Sequence, residues 1–252
     1  MRNNHYYGYG AASEGKLFAA KEAYRTIRTN LMFSLAKAGC KVILFTSSIQ
    51  GEGKTTSCAN VAVSIAKSNK KVLLIDLDLR SPRIHRKFKK SGSCGLTNLL
   101  SGFNTLEEVL YKDVQPGLDV ICAGTISPNP SEIVASESLA NLIESFKKDY
   151  DYILLDTPPV NPVSDALALV PLVDGIVMVI RPQYTDRKEV QRAISQIEFV
   201  GGKILGAIAN GVQKEKKMYG KRYGRYGYGY GYGYGQREQA EAAAKAKEEK
   251  AE

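Results

Sequence analysis

The residues best suited to do chemistry are Gly51, Gly53, Lys54 and Thr55, in a loop, IQGEGKTT, between an apolar run, KVILFTSS, and a helical pattern, SCANVAVSIAKS. The two glycines let the chain double back so that successive N–H groups face one concavity. A lysine there can reach the β- and γ-phosphates of a nucleotide, and a threonine hydroxyl beside it can ligate Mg2+. The helix that follows presents its positive end to the same anion. The nucleotide-binding set is thus Ser48, Gly51, Glu52, Gly53, Lys54, Thr55 and Thr56. The pattern departs from G-x-x-x-x-G-K-[ST] at Ser48, which stands where the first glycine would be, but the strand before and helix after are the context the motif requires.

Two apolar runs end in acids. Ile153-Leu154-Leu155-Asp156-Thr157-Pro158-Pro159 is a strand closing on an aspartate and a stiff turn, with Asp156 placed to hold Mg2+ directly or through water. Val72-Leu73-Leu74-Ile75-Asp76-Leu77-Asp78-Leu79-Arg80 carries two aspartates two residues apart, on one side of an extended chain. Alone, either is an ordinary cap or turn residue; beside Mg2+ and a triphosphate they make a metal-plus-base pair for phosphoryl transfer. Arg80 either touches phosphate or pairs with an acid at the strand end. Asn210 and Arg181, at the ends of the last two apolar runs, are candidates for the nucleotide base, and capping or surface roles explain them equally well.

Positioning such groups requires a sheet. Strands are expected at 41–47, 72–76, 118–122, 151–156, 175–180 and 203–209, and helices at about 20–36, 54–68, 131–148, 164–172 and 185–200. This alternation predicts an α/β fold of the P-loop NTPase type: a doubly wound, mostly parallel sheet with helices on both faces and ligands at the carboxyl ends of its strands. The chain of 252 residues, 44% hydrophobic, suffices for one sizeable core. No apolar run is long enough to span a membrane, and MRNNHYYGYG has no apolar signal core. The cysteines, Cys40, Cys58, Cys94 and Cys122, lie far apart and the chain has 2 histidines, which supports reduced thiols in a cytoplasmic protein and neither zinc nor a disulfide framework.

The formal charge of +9 is concentrated in two places. Residues 80–90 carry six Arg/Lys, and residues 203–235 carry seven against Glu215 alone. Such clusters attract phosphate, anionic lipid or nucleic acid, but no nucleic-acid-binding signature accompanies them, and a solvated helix face explains 80–90 at least as well. The second cluster overlaps a glycine-tyrosine tail with Tyr219, Tyr223, Tyr226, Tyr228, Tyr230, Tyr232 and Tyr234; Tyr6, Tyr7 and Tyr9 sit beside glycines at the other end. Glycine of this density disfavours helix and packs poorly in strands, so mobile phenols are expected. Taken alone the tail reads as a self-associating low-complexity linker. Residues 236–252 are Ala/Glu/Lys-rich, a solvated and partly helical appendage. The division is therefore 1–16 flexible segment, 17–212 catalytic domain, 213–235 tail and 236–252 appendage.

FTSSIQGEGKTT, VLLIDLDLR and ILLDTPP resemble the Walker A, A′ and B motifs of bacterial protein-tyrosine kinases (BY-kinases), cytoplasmic enzymes of capsule and exopolysaccharide systems. The resemblance extends through EAYRTIRTNLMF, PNPSE, Asp165 and the tyrosine tail, and the D-x-D-x-R element sets it apart from related P-loop ATPases, which also carry an extra lysine where Ile49 stands. It departs at Gln50, where many members have proline. The resemblance implies that Lys54 neutralises the transferring phosphate, that Thr55, Asp78 and Asp156 lie on the metal side, and that Asp76 is the base, although the two A′ aspartates can exchange roles. It makes ATP and Mg2+ the cofactors and the tail tyrosines the phosphoacceptors. It also implies that Glu22, Arg25 and Arg28, an E-x-x-R-x-x-R helix, pack between subunits of a homo-oligomeric ring whose tails enter neighbouring sites. Further implied partners are a membrane-embedded activator of the polysaccharide co-polymerase kind, which would recruit the kinase to the inner face of the plasma membrane, and other tyrosine-bearing proteins. A P-loop ATPase acting as an assembly switch, or a nucleotide-gated scaffold, is the alternative.

Overall fold

The computed structural model describes residues 14–212. Tyr6, Tyr7 and Tyr9, the tail tyrosines from Tyr219 to Tyr234 and the 236–252 segment lie outside the described residues. The first helix, α1 (Glu14–Ser34), starts earlier than expected, so Glu14, Gly15 and Lys16 belong to the folded body and not to the N-terminal segment. Ala20, Tyr24 and Leu31 are its buried residues; i, i+4, i+11 spacing keeps them on one face.

The six expected strands all form: β1 (Lys41–Ser47), β2 (Val72–Asp76), β4 (Leu118–Ile121), β5 (Tyr152–Asp156), β6 (Gly175–Ile180) and β7 (Ile204–Ala209). A further strand, β3 (Leu110–Gln115), completes a seven-stranded sheet of order β3-β4-β2-β5-β1-β6-β7. All neighbours pair parallel except β3, which runs antiparallel to β4 at the edge. Strands buried on both faces read as unbroken apolar runs, as VILF, VLLI and YILL do. Alternate side chains then serve opposite layers. Ile43, Phe45, Val72, Leu74 and Leu154 pack with α1, with α2 (Lys54–Ala66) and with α3 (Ile84–Phe88). Val42, Leu44, Leu73, Ile75, Ile153 and Leu155 pack with α7 (Glu137–Phe146), α8 (Asp165–Ala168) and α9 (Arg187–Phe199).

Two expected helices are shorter than their sequence pattern. The 131–148 stretch divides into α6 (Pro130–Val134) and α7, because the Ser136 hydroxyl accepts from the Leu139 N–H and caps a fresh helix. The 164–172 stretch keeps α8 and then tightens into a 3-10 turn, Val170–Leu172, where Pro171 has no N–H to give. The short helices α4 (Leu96–Leu100) and α5 (Leu106–Val109) between β2 and β3 were not expected; α3 falls in the 80–90 run, for which a solvated helix face was one reading, but Ile84 and Phe88 are buried.

Candidate functional site

The cleft lies where β1, β2 and β5 end. β1 delivers the loop at 48–53, and both glycines adopt the left-handed backbone, φ 90° at Gly51 and φ 90° at Gly53. A Cβ on Gly53 would lie 1.9 Å from the Asn210 amide nitrogen, so both conformation and space demand glycine. No side chain caps α2, which leaves its first-turn N–H groups for a ligand. The loop, Lys54, Thr55, Thr56, Asp78, Arg80, Ser81, Arg83, Lys87 and an apolar wall of Pro158, Pro159, Pro162 and Val163 enclose about 270 Å3.

β2 and β5 are neighbours in a register that sets Asp76 beside Asp156. Lys54 donates to Asp156 Oδ1 at 2.7 Å and to Asp78 Oδ2 at 3.3 Å. Burial opposes the charge on Lys54, but Asp156 and Asp78 outweigh it and raise its pKa above the usual value. Burial pushes the Asp156 carboxyl up, with Lys54 and the Thr55 hydroxyl pulling it back. Burial and then the Asp156 charge push Asp76 up to about 8. One ammonium thus faces three carboxylates.

Asp76 and Asp78 have different surroundings. Asp76 is fully buried: its Oδ1 accepts from the Asp78 N–H, and its Oδ2 accepts from the N–H groups of Arg83 and Ile84. Asp78 lines the cleft. As the chain stands, the residue expected to be the base ties down the start of α3, and its neighbour two positions on faces the cleft.

The unused oxygen of Asp156, Oδ2, is buried without a hydrogen-bond partner, and an acceptor in that state invites a cation or a donor. With Thr55 and Asp78 it fits a Mg2+ that keeps several waters and the substrate's phosphates as ligands. Among the described residues no cluster of three or more His, Cys, Asp or Glu forms an all-protein metal cage, as such a site would not.

Glu52 corrects an expectation. A carboxylate in a phosphate loop would repel its ligand, and here it is turned away and buried. It accepts from the N–H groups of Ser48 (2.7 Å), Ile49 (2.9 Å) and Arg181 (3.2 Å) and from the Thr185 hydroxyl (2.6 Å). Its side chain braces the loop; it is not a phosphate contact. Asn210 donates to the Glu52 carbonyl at 2.8 Å and is likewise engaged with the loop backbone, where a base contact was expected. Arg181 stacks on Tyr184, 5.0 Å from the ring centre, and the Tyr184 hydroxyl donates to the Gln50 carbonyl. Thr185 and Tyr184 carried no sequence signal. Glu52 was visible as an acid between two loop glycines, but only the fold brings Arg181 and Thr185 to it.

Arg80 takes the ion-pair option. Its guanidinium donates to Asp165 at 2.8 and 3.1 Å and to Ser131, whose hydroxyl donates to the same carboxylate. The end of β2 is thereby tied to α6 and α8, which gives PNPSE and Asp165 a physical role. On α1, Arg25 pairs with Glu22 at 2.8 Å, both partly exposed. Arg28 instead reaches the Ser64 carbonyl of α2 at 2.8 Å and fastens α1 to the body.

A family model described as an AAA domain matches residues 40–207. Tyrosine-protein kinase YwqD of Bacillus subtilis is 39% identical over 206 residues, which cover 82% of this chain and 86% of that one. The putative tyrosine-protein kinase EpsB of Ralstonia solanacearum is 36% identical over 207 residues, 81% of this chain but only 28% of that longer protein. The solved kinase domain of Escherichia coli tyrosine kinase ETK superposes with a TM-score of 0.74 at 36% identity, covering 84% of this chain and 80% of that one. With a P-loop sheet, an A′ aspartate pair and a Walker B aspartate around one cleft, the chain belongs to the bacterial tyrosine-protein kinases, the BY-kinases.

Proposed function

We propose that the domain transfers the γ-phosphoryl group of ATP to tyrosines of the 219–234 tail, supplied in trans by a neighbouring copy, and that this controls capsular or exopolysaccharide synthesis or export. The observation that carries the reading is the pairing of the P-loop with the D-x-D-x-R strand end: Lys54 bridges Asp156 and Asp78, and Asp76 lies in register with Asp156.

In this reading the backbone of Gly51 to Thr56 and the free end of α2 cradle the phosphates, and Lys54 leaves its aspartates to neutralise the transferring group. Thr55, Asp78 and Asp156 hold Mg2+, which when bound offsets the charge of the β- and γ-phosphates. A carboxylate of the A′ pair receives the phenol proton. Asp78 lines the cleft, and a phenol reaches Asp76 only when the Arg83 and Ile84 N–H groups let go. The likeness to the kinases makes Asp76 the base with Asp78 on the metal side, and the two can exchange roles.

The exposed side of α1 supports assembly. Phe18 and Phe33 are 66% and 80% exposed and flank the Glu22–Arg25 pair, an apolar-and-charged stripe of the kind that packs between copies. Among the described residues no helix is long and apolar enough to cross a membrane. Recruitment to the inner face of the plasma membrane by a membrane-embedded activator is part of the same reading and rests on the likeness to the tyrosine-protein kinases.

The test is mass spectrometry of the full chain purified from a bacterial host, wild type beside Lys54→Met. Phosphotyrosine within 219–234 that vanishes in the variant supports the reading. ATP turnover without tyrosine modification would replace it with an assembly-switch ATPase, and neither activity would leave a scaffold.

A further inference from the structure

The cleft holds two cations that none of the roles above uses. Arg83 and Lys87 line it together with Lys54, Thr55 and Asp78. Lys54 is bound by Asp156 and Asp78, and Arg80 by Asp165. Arg83 and Lys87 have no acidic partner within ion-pair distance among the described residues. Lys87 is half-buried, and burial and the Arg83 guanidinium hold its pKa below the usual lysine value, with Asp156 pulling the other way. A charged, partly desolvated side chain without a partner is poised to meet an anion.

The placement is not that of a loose surface lysine. Ile84 and Phe88, at i and i+4, sink the inner face of α3 into the core. The start of α3 is fixed by Asp76, whose Oδ2 accepts from Arg83 and Ile84. The helix that carries Lys87 is therefore held by the same buried carboxylate that sits beside Asp156.

We propose that Lys87, with Arg83 beside it, is a second cationic clamp on the terminal phosphate of the nucleoside triphosphate, facing Lys54 across the cleft. The proposal rests on the nucleotide reading above. It accounts for part of the 80–90 basic run, since Arg83 and Lys87 line the cleft beside the ion-paired Arg80, whereas Arg86 and Lys89 are exposed and do not line it. The clamp acts on the third phosphate, which Lys54 reaches from the other side, while the loop backbone serves the inner ones.

Calorimetric titration of the full chain with Mg2+ and either ADP or the β,γ-imido analogue of ATP tests this. The expected result for Lys87→Met is a roughly tenfold weaker triphosphate affinity with ADP affinity within twofold of wild type, equivalent to about 1.4 kcal/mol on the third phosphate alone. Lys87→Arg should restore most of the preference. Arg83→Met should act in the same direction by a smaller factor. Equal triphosphate affinity in wild type and Lys87→Met, with both folded by circular dichroism, overturns the clamp and leaves the nucleotide site standing. A wild-type chain that binds neither nucleotide overturns the site itself.

Discussion

If Glu52 is the brace of the phosphate loop, its removal should destabilise the protein before it affects any chemistry. The carboxylate is buried and receives four hydrogen bonds, from Ser48, Ile49, Arg181 and Thr185. Hydrogen bonds to a charged group contribute about 1.5 to 3 kcal/mol each, so the gross value is roughly 6 to 12 kcal/mol. Against that stands the cost of burying the charge, several kcal/mol, which the substitution returns. Water entering the space left by Glu52→Ala recovers part of the rest. The net expectation is a loss of about 4 kcal/mol, at the upper end for a single substitution. For a folded body of this size that corresponds to a fall of about 8 to 16 °C in Tm. Glu52→Gln keeps the shape and one acceptor and should lose about half as much.

Urea unfolding of the dephosphorylated full chain measures these losses, and a double-mutant cycle isolates their cause. Thr185→Val removes the 2.6 Å hydroxyl bond and should cost about 1.5 kcal/mol in the wild-type background. In the Glu52→Ala background it should cost almost nothing, because the partner has gone. A Glu52→Ala loss below about 1 kcal/mol, or a Thr185→Val cost undiminished in that background, would refute the brace.

Two more outcomes follow from the geometry of the cleft. Gly53→Ala places a methyl 1.9 Å from the Asn210 amide at a φ of +90°, and should abolish nucleotide binding in calorimetry; adding Asn210→Ala removes the clash but not the backbone strain, so recovery should be partial. In nucleotide- and metal-free buffer, Asp76 has a folded pKa of about 8 against 3.8 for an unperturbed aspartate. Its contribution to stability is complete below about pH 4 and is lost as pH rises through about 8, because the folded state then holds a proton that the unfolded chain has released. Asp76→Asn should flatten that part of the stability–pH curve, measured by urea midpoints from about pH 5 to 9; an unchanged slope contradicts the assignment.

The sheet was legible because its strands are buried on both faces and therefore read as apolar runs such as VILF, VLLI and YILL. Lys54, Asp78 and Asp156 were legible as a group for a related reason. Parallel strands that end in polar residues end on one side of the sheet, so separate motifs converge without any local signal of contact. The segment between β2 and β4 was not legible. Helices of five, five and four residues cannot display a 3.6-residue period, and β3 is a half-exposed edge strand with a positive φ at Asp113. Partners chosen by tertiary packing were also hidden: Asn210 against Gly53, Thr185 against Glu52 and Arg28 against Ser64 are each separated by tens of residues or more. Arg80 was left between phosphate and acid for the same reason, since only the fold brings Asp165 to it.

Among the described residues buried charge is confined to one region, and its balance explains the titration expected of Asp76. Glu52, Lys54, Asp76, Asp78, Asp156 and Asp165 are the buried charged side chains among the described residues. Glu52 is satisfied by four donors and Asp165 by Arg80, which leaves Asp76, Asp78 and Asp156 to share Lys54. With all four ionised, the cluster carries two negative charges in excess in surroundings that solvate them poorly. Burial and the Asp156 charge relieve one of them by raising the Asp76 pKa to about 8, which favours a proton there in the nucleotide-free protein. A divalent cation held at Thr55, Asp78 and Asp156 would offset both, and the proton on Asp76 would then lose its advantage. Without that cation the cluster is the frustrated part of the fold. Loading it should raise stability and lower the pH at which Asp76 ionises, the two effects being one linkage seen from two sides.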